Sequence, residues 1–192
     1  MNTGDARTEI LRSIRTHLAM SSEPQIKMDL FEFPSKTAVP EVVQLFKQNL
    51  ELVDGHCLIV NNQTEVEETV KRLTEGKRIA TADAPRKDLF ESEVGVTGAQ
   101  AGIAETGTLV LDSAKEKNRL VSLVPPVHIA ILDASRIFAT LGETLAALQS
   151  GEEVSPAITF ITGPSRTADI ELTLAIGVHG PQQLYVIINQ NA

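Results

Sequence analysis

The sequence is poor in several residue types, and each shortage closes off a class of function. Cysteine occurs once in 192 residues, as Cys57. A single thiol forms no intrachain disulfide and cannot by itself hold an iron–sulfur cluster, which takes several thiolates. Cys57 sits in the apolar run "HCLIV", where a small buried core residue is expected rather than a reactive thiol. Tryptophan is absent and aromatic residues make up 4%, so platforms for stacking nucleic-acid bases are scarce. Basic residues are outnumbered 17 to 25, for a net charge of −8, and such a surface repels a phosphate backbone. No nucleic-acid partner is expected. No apolar run approaches the roughly 20 residues of a membrane-spanning helix. The opening "MNTGDARTEI" is polar and charged, unlike the apolar core of a secretory signal, so the cytoplasm is the expected location. The four histidines are scattered without ligand spacing, and no metal is expected. Phosphate-loop, nucleophile-elbow and dinucleotide-binding signatures are missing as well.

What is present is a soluble-type composition, 42% hydrophobic and 22% charged with mean hydropathy of zero, in a length that suits one domain. Residues 1–39 stand apart from the rest. "DARTEILRSIRTHLAM" puts Ile10, Leu11, Ile14 and Leu18 on one helical face, with Asp5 as a cap. The Ser- and Pro-dotted stretch behind it has no period and reads as an extended connector. From Pro40 to the end the pattern is regular. "PEVVQLFKQNLEL" predicts a helix with Val42, Val43, Leu45, Phe46 and Leu50 apolar, and "HCLIV" a buried strand. "TEVEETVKRLTEG" predicts a helix capped by Thr64 and Glu67 and stopped by Gly76, and "KRIATAD" a strand. The strand–helix–strand rhythm implies a parallel sheet with helices on its faces.

The second half is richer in strands. Residues 94–113 carry four glycines before the strand-like run Thr108–Leu111, and irregular or antiparallel pieces are expected there. "SRIFATLGETLAALQSG" predicts a helix capped by Ser135, with Ile137, Phe138, Leu141, Leu145 and Leu148 on one face. "PAITFITG" and "LYVIIN" are further strands. The fold class expected is α/β, a three-layer α/β/α domain over residues 40–192 with a mostly parallel sheet.

In such a sheet ligands bind beyond the carboxyl ends of the strands, so the loops after strands are the places to look. In "GIAETGTLVL", Glu105 is a candidate general base, and Thr106, Gly107 and Thr108 could approach an anion closely. The alternative is a turn into a strand, with Glu105 solvated or capping. In "TGPSRTADIE", Gly163 and Pro164 turn the chain, and Ser165, Arg166 and Thr167 then precede Asp169 and Glu171 on what reads as a first helical turn. A helix start and a guanidinium together suit a carboxylate or phosphate. The alternative is a self-satisfied helix end in which Asp169 pairs with Arg166. In "GVHGPQQL", His179 and Gly180 form an exposed turn close in sequence to that pocket, with Gly177 as a helix stop. His128 in "PPVHIAIL" opens a strand and is expected to be satisfied in the core. His17 and His56 have no supporting context.

These stretches, "GIAETGTLVL", "LVPPVHIAIL", "ITGPSRTADIE" and "GVHGPQQLYVIIN", occur in this order and at this spacing in the lactate utilization protein C family, the LUD domain, which the chain resembles from about Cys57 to Asn189. The resemblance implies a fold like that of ribose-5-phosphate isomerases and CoA-transferases. It also implies a part in oxidising L-lactate to pyruvate beside iron–sulfur subunits, which would carry any clusters because this chain has only Cys57. The family motifs fall on Glu105 to Thr108, on Gly163 to Thr167, and on Asp169 and Glu171, with His128 and His179–Gly180 in the other two. Three functions follow: a cluster-free subunit or accessory protein of a lactate-oxidising system that binds a small carboxylate or other anion; a stand-alone isomerase or CoA-transferase-like enzyme using Glu105 on a phosphorylated or acyl-CoA substrate; or a non-catalytic anion sensor or assembly factor. Self-association is open in each.

Overall fold

The structure is a computed structural model that describes residues 3–20, 39–149, 155–168, 174–177 and 179–191. The chain divides into two compact units, residues 1–34 and 35–192. The first contains helix α1 (Thr3–Met20), whose apolar residues Ile10, Leu11 and Ile14 are exposed.

In the second unit, α2 (Val39–Leu52), β1 (His56–Val60), α3 (Gln63–Thr74), β2 (Ile79–Ala80) and α4 (Arg86–Leu89) come first. Strands β3 (Val94–Ala99), β4 (Ala101–Ile103) and β5 (Thr108–Asp112) lead to β6 (Val127–Asp133), β7 (Ile137–Phe138) and α5 (Leu141–Gln149). Strands β8 (Ile158–Ile161), β9 (Arg166–Ala168), β10 (Leu174–Ile176) and β11 (Gln183–Asn189) complete the described elements. The main sheet runs β1-β11-β6-β3-β2 with every pairing parallel. A second sheet, β7-β4-β5-β8, is mixed, and β9 with β10 forms an antiparallel ribbon. The architecture is α/β with a mostly parallel central sheet flanked by helices.

Strands β6 and β11 lie inside the sheet and are covered on both faces, which is why their sequences are nearly continuous apolar runs. Ile129 and Ile187 on one face pack with Val66 of α3. Ala130, Leu132, Leu184, Val186 and Ile188 on the other pack with Val42, Val43, Phe46 and Leu50 of α2. Of the expected α2 stripe only Leu45 points outward, 41% exposed.

Several local expectations are corrected. The cap of α3 is Asn62, whose side chain accepts from the Glu65 amide at 3.0 Å, while Glu65 accepts from the Asn61 amide at 2.9 Å. This reciprocal cap starts the helix ahead of Thr64, and Gly76 does stand just past its end at φ 71°. The helix expected from Ser135 starts only at Leu141. Asp133 caps a 3₁₀ turn at Ala134–Arg136 through the Ser135 amide, and Ile137–Phe138 pair with β4. Residues 94–99 form a regular parallel strand, β3, and β4–β5 are the antiparallel pieces. Arg166–Ala168 is a strand rather than a helix start, so Arg166 does not stand on a first helical turn. Gly177 follows β10 rather than a helix.

Candidate functional site

The carboxyl end of α2 organises the site. Val53 and Gly55 donate back to the Leu50 carbonyl at 3.2 and 2.9 Å, and Asp54 to that of Glu51 at 3.1 Å. This tight reversal puts Asp54 at φ 60°, the one non-glycine residue with positive φ among the described residues. Asp tolerates this region better than most residues, yet it is a cost. Strand β1 then starts at His56.

Three loops that carry motif residues come to this helix end. In the first, Gly107 (φ 63°) lies so close to Asn49 and Leu50 that an added Cβ would run into their backbone, and Asn49 Nδ2 donates to the Ala104 carbonyl at 2.7 Å. Glu105 points the other way. Its Oε1 accepts from the Leu141 amide, the first of α5, at 2.7 Å, while Thr140 caps that helix by accepting from the Glu143 amide at 3.2 Å. The Thr106, Thr108 and Thr162 hydroxyls form a chain with both links at 2.7 Å, joining the first loop to the second. In the second loop Gly163 (φ 73°) rests against the Val53 carbonyl, and the Arg166 guanidinium pairs with the Asp54 carboxylate. The third loop lies on the second: the Ser165 amide donates to the Pro181 carbonyl at 2.8 Å, the Gly177 amide to the Ser165 carbonyl at 2.9 Å, and Gly180 faces the Ser165 side chain with little room for a Cβ.

At the end of α2 lies an open cleft of about 660 Å³, lined by Glu51 and Asp54, by His56 and Cys57 of β1, by Pro164 and Arg166, and by Gln182 and Tyr185. The His56 and Tyr185 rings stack with centroids 4.6 Å apart. Burial pushes the Cys57 thiol up to about 12; Lys47 nearby pulls it down and Glu51 pushes it further up. The thiol is therefore protonated and weakly nucleophilic. The cleft lies at the amino ends of β1 and β11, not at the carboxyl ends where a ligand was expected.

Of the expected residues, Pro164 and Arg166 line the cleft. Gly163, Ser165 and Gly180 hold its loops, and Gly107 and Thr108 fasten the neighbouring one. Glu105, Thr106 and His179 are exposed. Thr167 lies in β9, and Asp169 and Glu171 lie outside the described residues. His128 is elsewhere and fully buried. Its Nε2 bonds Thr97 Oγ1 at 2.8 Å, and its Nδ1 has no partner among the described residues. Burial lowers its pKa to about 4, so the ring is neutral. The sequence reading missed Glu51, Asp54, His56, Gln182 and Tyr185. The available signal was the Asp54-Gly55 pair directly after a helical pattern, which marks a turn facing whatever packs on the helix end.

The LUD domain family model matches residues 78–189. An uncharacterized protein of Neisseria meningitidis is 46% identical over 50% of this chain and 41% of its own length. Two proteins named lactate utilization protein C are also similar. That of Bacillus licheniformis is 36% identical over 62% of this chain and 54% of its own, and that of Bacillus subtilis 38% identical over 54% and 45%. The chain spans about half the length of the curated relatives it matches. The crystal structure of a DUF162 family protein from Deinococcus radiodurans superposes with a TM-score of 0.62 over 80% of this chain and 99% of that one, at 22% identity. That likeness shows the fold.

Proposed function

Because this chain belongs to the LUD domain family, we propose that it serves L-lactate oxidation as a cluster-free subunit or accessory protein, holding a small carboxylate such as lactate or pyruvate in the cleft at the end of α2. The observation that carries this reading is Arg166: a permanently charged, planar donor fork on the wall of an open cleft, matched in shape to a carboxylate. His56, Gln182 and Tyr185 stand on the same cleft and carry the donors that a 2-hydroxyl or 2-oxo group would use. The names of the Bacillus relatives support lactate as the context.

In this reading the chain binds and orients the acid, and electrons removed from lactate pass to iron–sulfur clusters on partner subunits in the cytoplasm. Cys57 takes no part, since its thiol is held protonated. Glu105 accepts a hydrogen bond from the first amide of α5, which favours a structural part for it over the general base that the isomerase or transferase alternative needs. The test is reconstitution: the chain is combined with candidate iron–sulfur partner proteins, and lactate oxidation and complex assembly are measured with and without it. Arg166→Ala should reduce oxidation while leaving assembly intact. Unchanged activity and assembly on omitting the chain would overturn the proposal.

A further inference from the structure

We infer that Asp54 is a built-in competitor for the carboxylate site: a ligand takes the Arg166 guanidinium by displacing the Asp54 carboxylate, and Asp54 and Glu51 thereby bias the cleft toward ligands bearing a single negative charge. The inference rests on the carboxylate reading of Arg166 given above and adds what sets affinity and selectivity there.

Arg166 is not free. Its Nη2 already contacts Asp54 Oδ2, with the Asp54 side chain 76% exposed and that of Arg166 33%. An ion pair so open to water is weak and exchangeable. The pair also joins a turn to a ribbon, so either partner can swing away without opening the core. Asp54 is further held at positive φ, a conformation that a stronger structural need would have given to glycine. An incoming carboxylate reproduces the contact that Asp54 makes, with the same atoms and charge.

The surroundings then select. Glu51 lines the same cleft as Asp54, and both stand at the carboxyl end of α2, where the helix presents partial negative charge. Lys47 reaches Glu51 at 3.8 Å and offsets it in part. A monocarboxylate that replaces Asp54 on Arg166 leaves the number of negative charges on the guanidinium unchanged. A phosphate dianion or a dicarboxylate adds a charge that faces Glu51 and the displaced Asp54, and like charges at this range repel.

The experiment is calorimetric titration of the full chain with L-lactate, pyruvate and inorganic phosphate, using wild type, Asp54→Asn, Asp54→Gly, Glu51→Gln and Arg166→Ala. Asp54→Gly relieves the positive φ and guards against a folding defect specific to Asn. Removing the competitor should tighten monocarboxylate binding about fivefold, the occupancy that a surface ion pair sustains. It should tighten phosphate binding by a larger factor, and Glu51→Gln should tighten either by less than Asp54→Asn does. Arg166→Ala should abolish binding in every background. If wild type binds and Arg166→Ala does not, but both Asp54 variants leave affinity unchanged or match Glu51→Gln, the competitor idea is wrong and the carboxylate reading stands. If neither wild type nor the Asp54 variants bind any of the three, both fall.

Discussion

Two polar pairs bridge distant parts of this chain, and they differ in almost every physical respect. His128 and Thr97 meet inside the main sheet, with His128 fully buried and neutral. Arg166 and Asp54 meet at the lip of the cleft, charged and in water. The first pair is costly to disturb, because each group gave up its hydration to be there. The second pair is cheap to disturb, because water replaces each partner at little cost. Both His128 and Arg166 lie within residues 78–189, which the family model matches, so membership in that span does not say which of the two roles a residue has. Burial does.

Breaking the buried pair should have the largest effect. His128→Ala should cost roughly 3–4 kcal/mol, from the cavity and from a Thr97 hydroxyl left unpaired, read as a shift in denaturant midpoint. A loss below about 1 kcal/mol, the level of a surface change, would erase the contrast.

Acid should act on the same pair. The unfolded chain takes up a proton at this histidine below its ordinary value near 6.5, whereas the folded protein does not until about 4. Stability attributable to His128 is thus intact above pH 6.5, falls by up to about 1.4 kcal/mol per unit as pH drops through that window, and levels off below it. His128→Leu should flatten the profile there. A mutant profile as steep as that of wild type would assign the acid sensitivity to other groups.

Glu105 sharpens the comparison from the middle ground, since it holds the first amide of α5 but is exposed. Glu105→Ala should destabilise by about 1 kcal/mol, the size of one hydrogen bond, and leave ligand binding within twofold by calorimetry. Loss of binding would return Glu105 to the site. The smallest stability change belongs to Arg166→Ala, expected at about 0.5 kcal/mol or less, with a double-mutant cycle against Asp54→Ala showing coupling of the same size. Coupling above about 2 kcal/mol would make this pair as structural as His128–Thr97.

The comparison also explains which parts of the structure were legible in sequence. Strands β1, β6 and β11 stood out because burial leaves little room for polar residues. Strand β3 did not, because Gly95 and Gly98 dilute its pattern. Gly95 is there for a tertiary reason, as a Cβ at this position would run into the Val121 carbonyl and crowd Pro125. Ile137 and Phe138 fit the helical period of Leu141, Leu145 and Leu148, but pairing with β4 prevailed over that periodicity. "PSRTAD" has the composition of a helix start, but β10 offered a ribbon partner. Arg166 could be named as a candidate ligand residue from its type and neighbours. Asp54 could not, because its partner is 112 positions away and only the fold brings them together.

The place of β11 has a consequence for how the protein is made. It lies between β1 and β6 and pairs with both along its length, so β1 has no neighbour in the sheet until residues 183–189 have been synthesised. A growing chain therefore carries the apolar strand "HCLIV" unpaired through most of its synthesis, exposed to edge-to-edge association with other nascent chains. Yield in the cell should then depend on chaperone capacity more than the stability of the finished fold suggests.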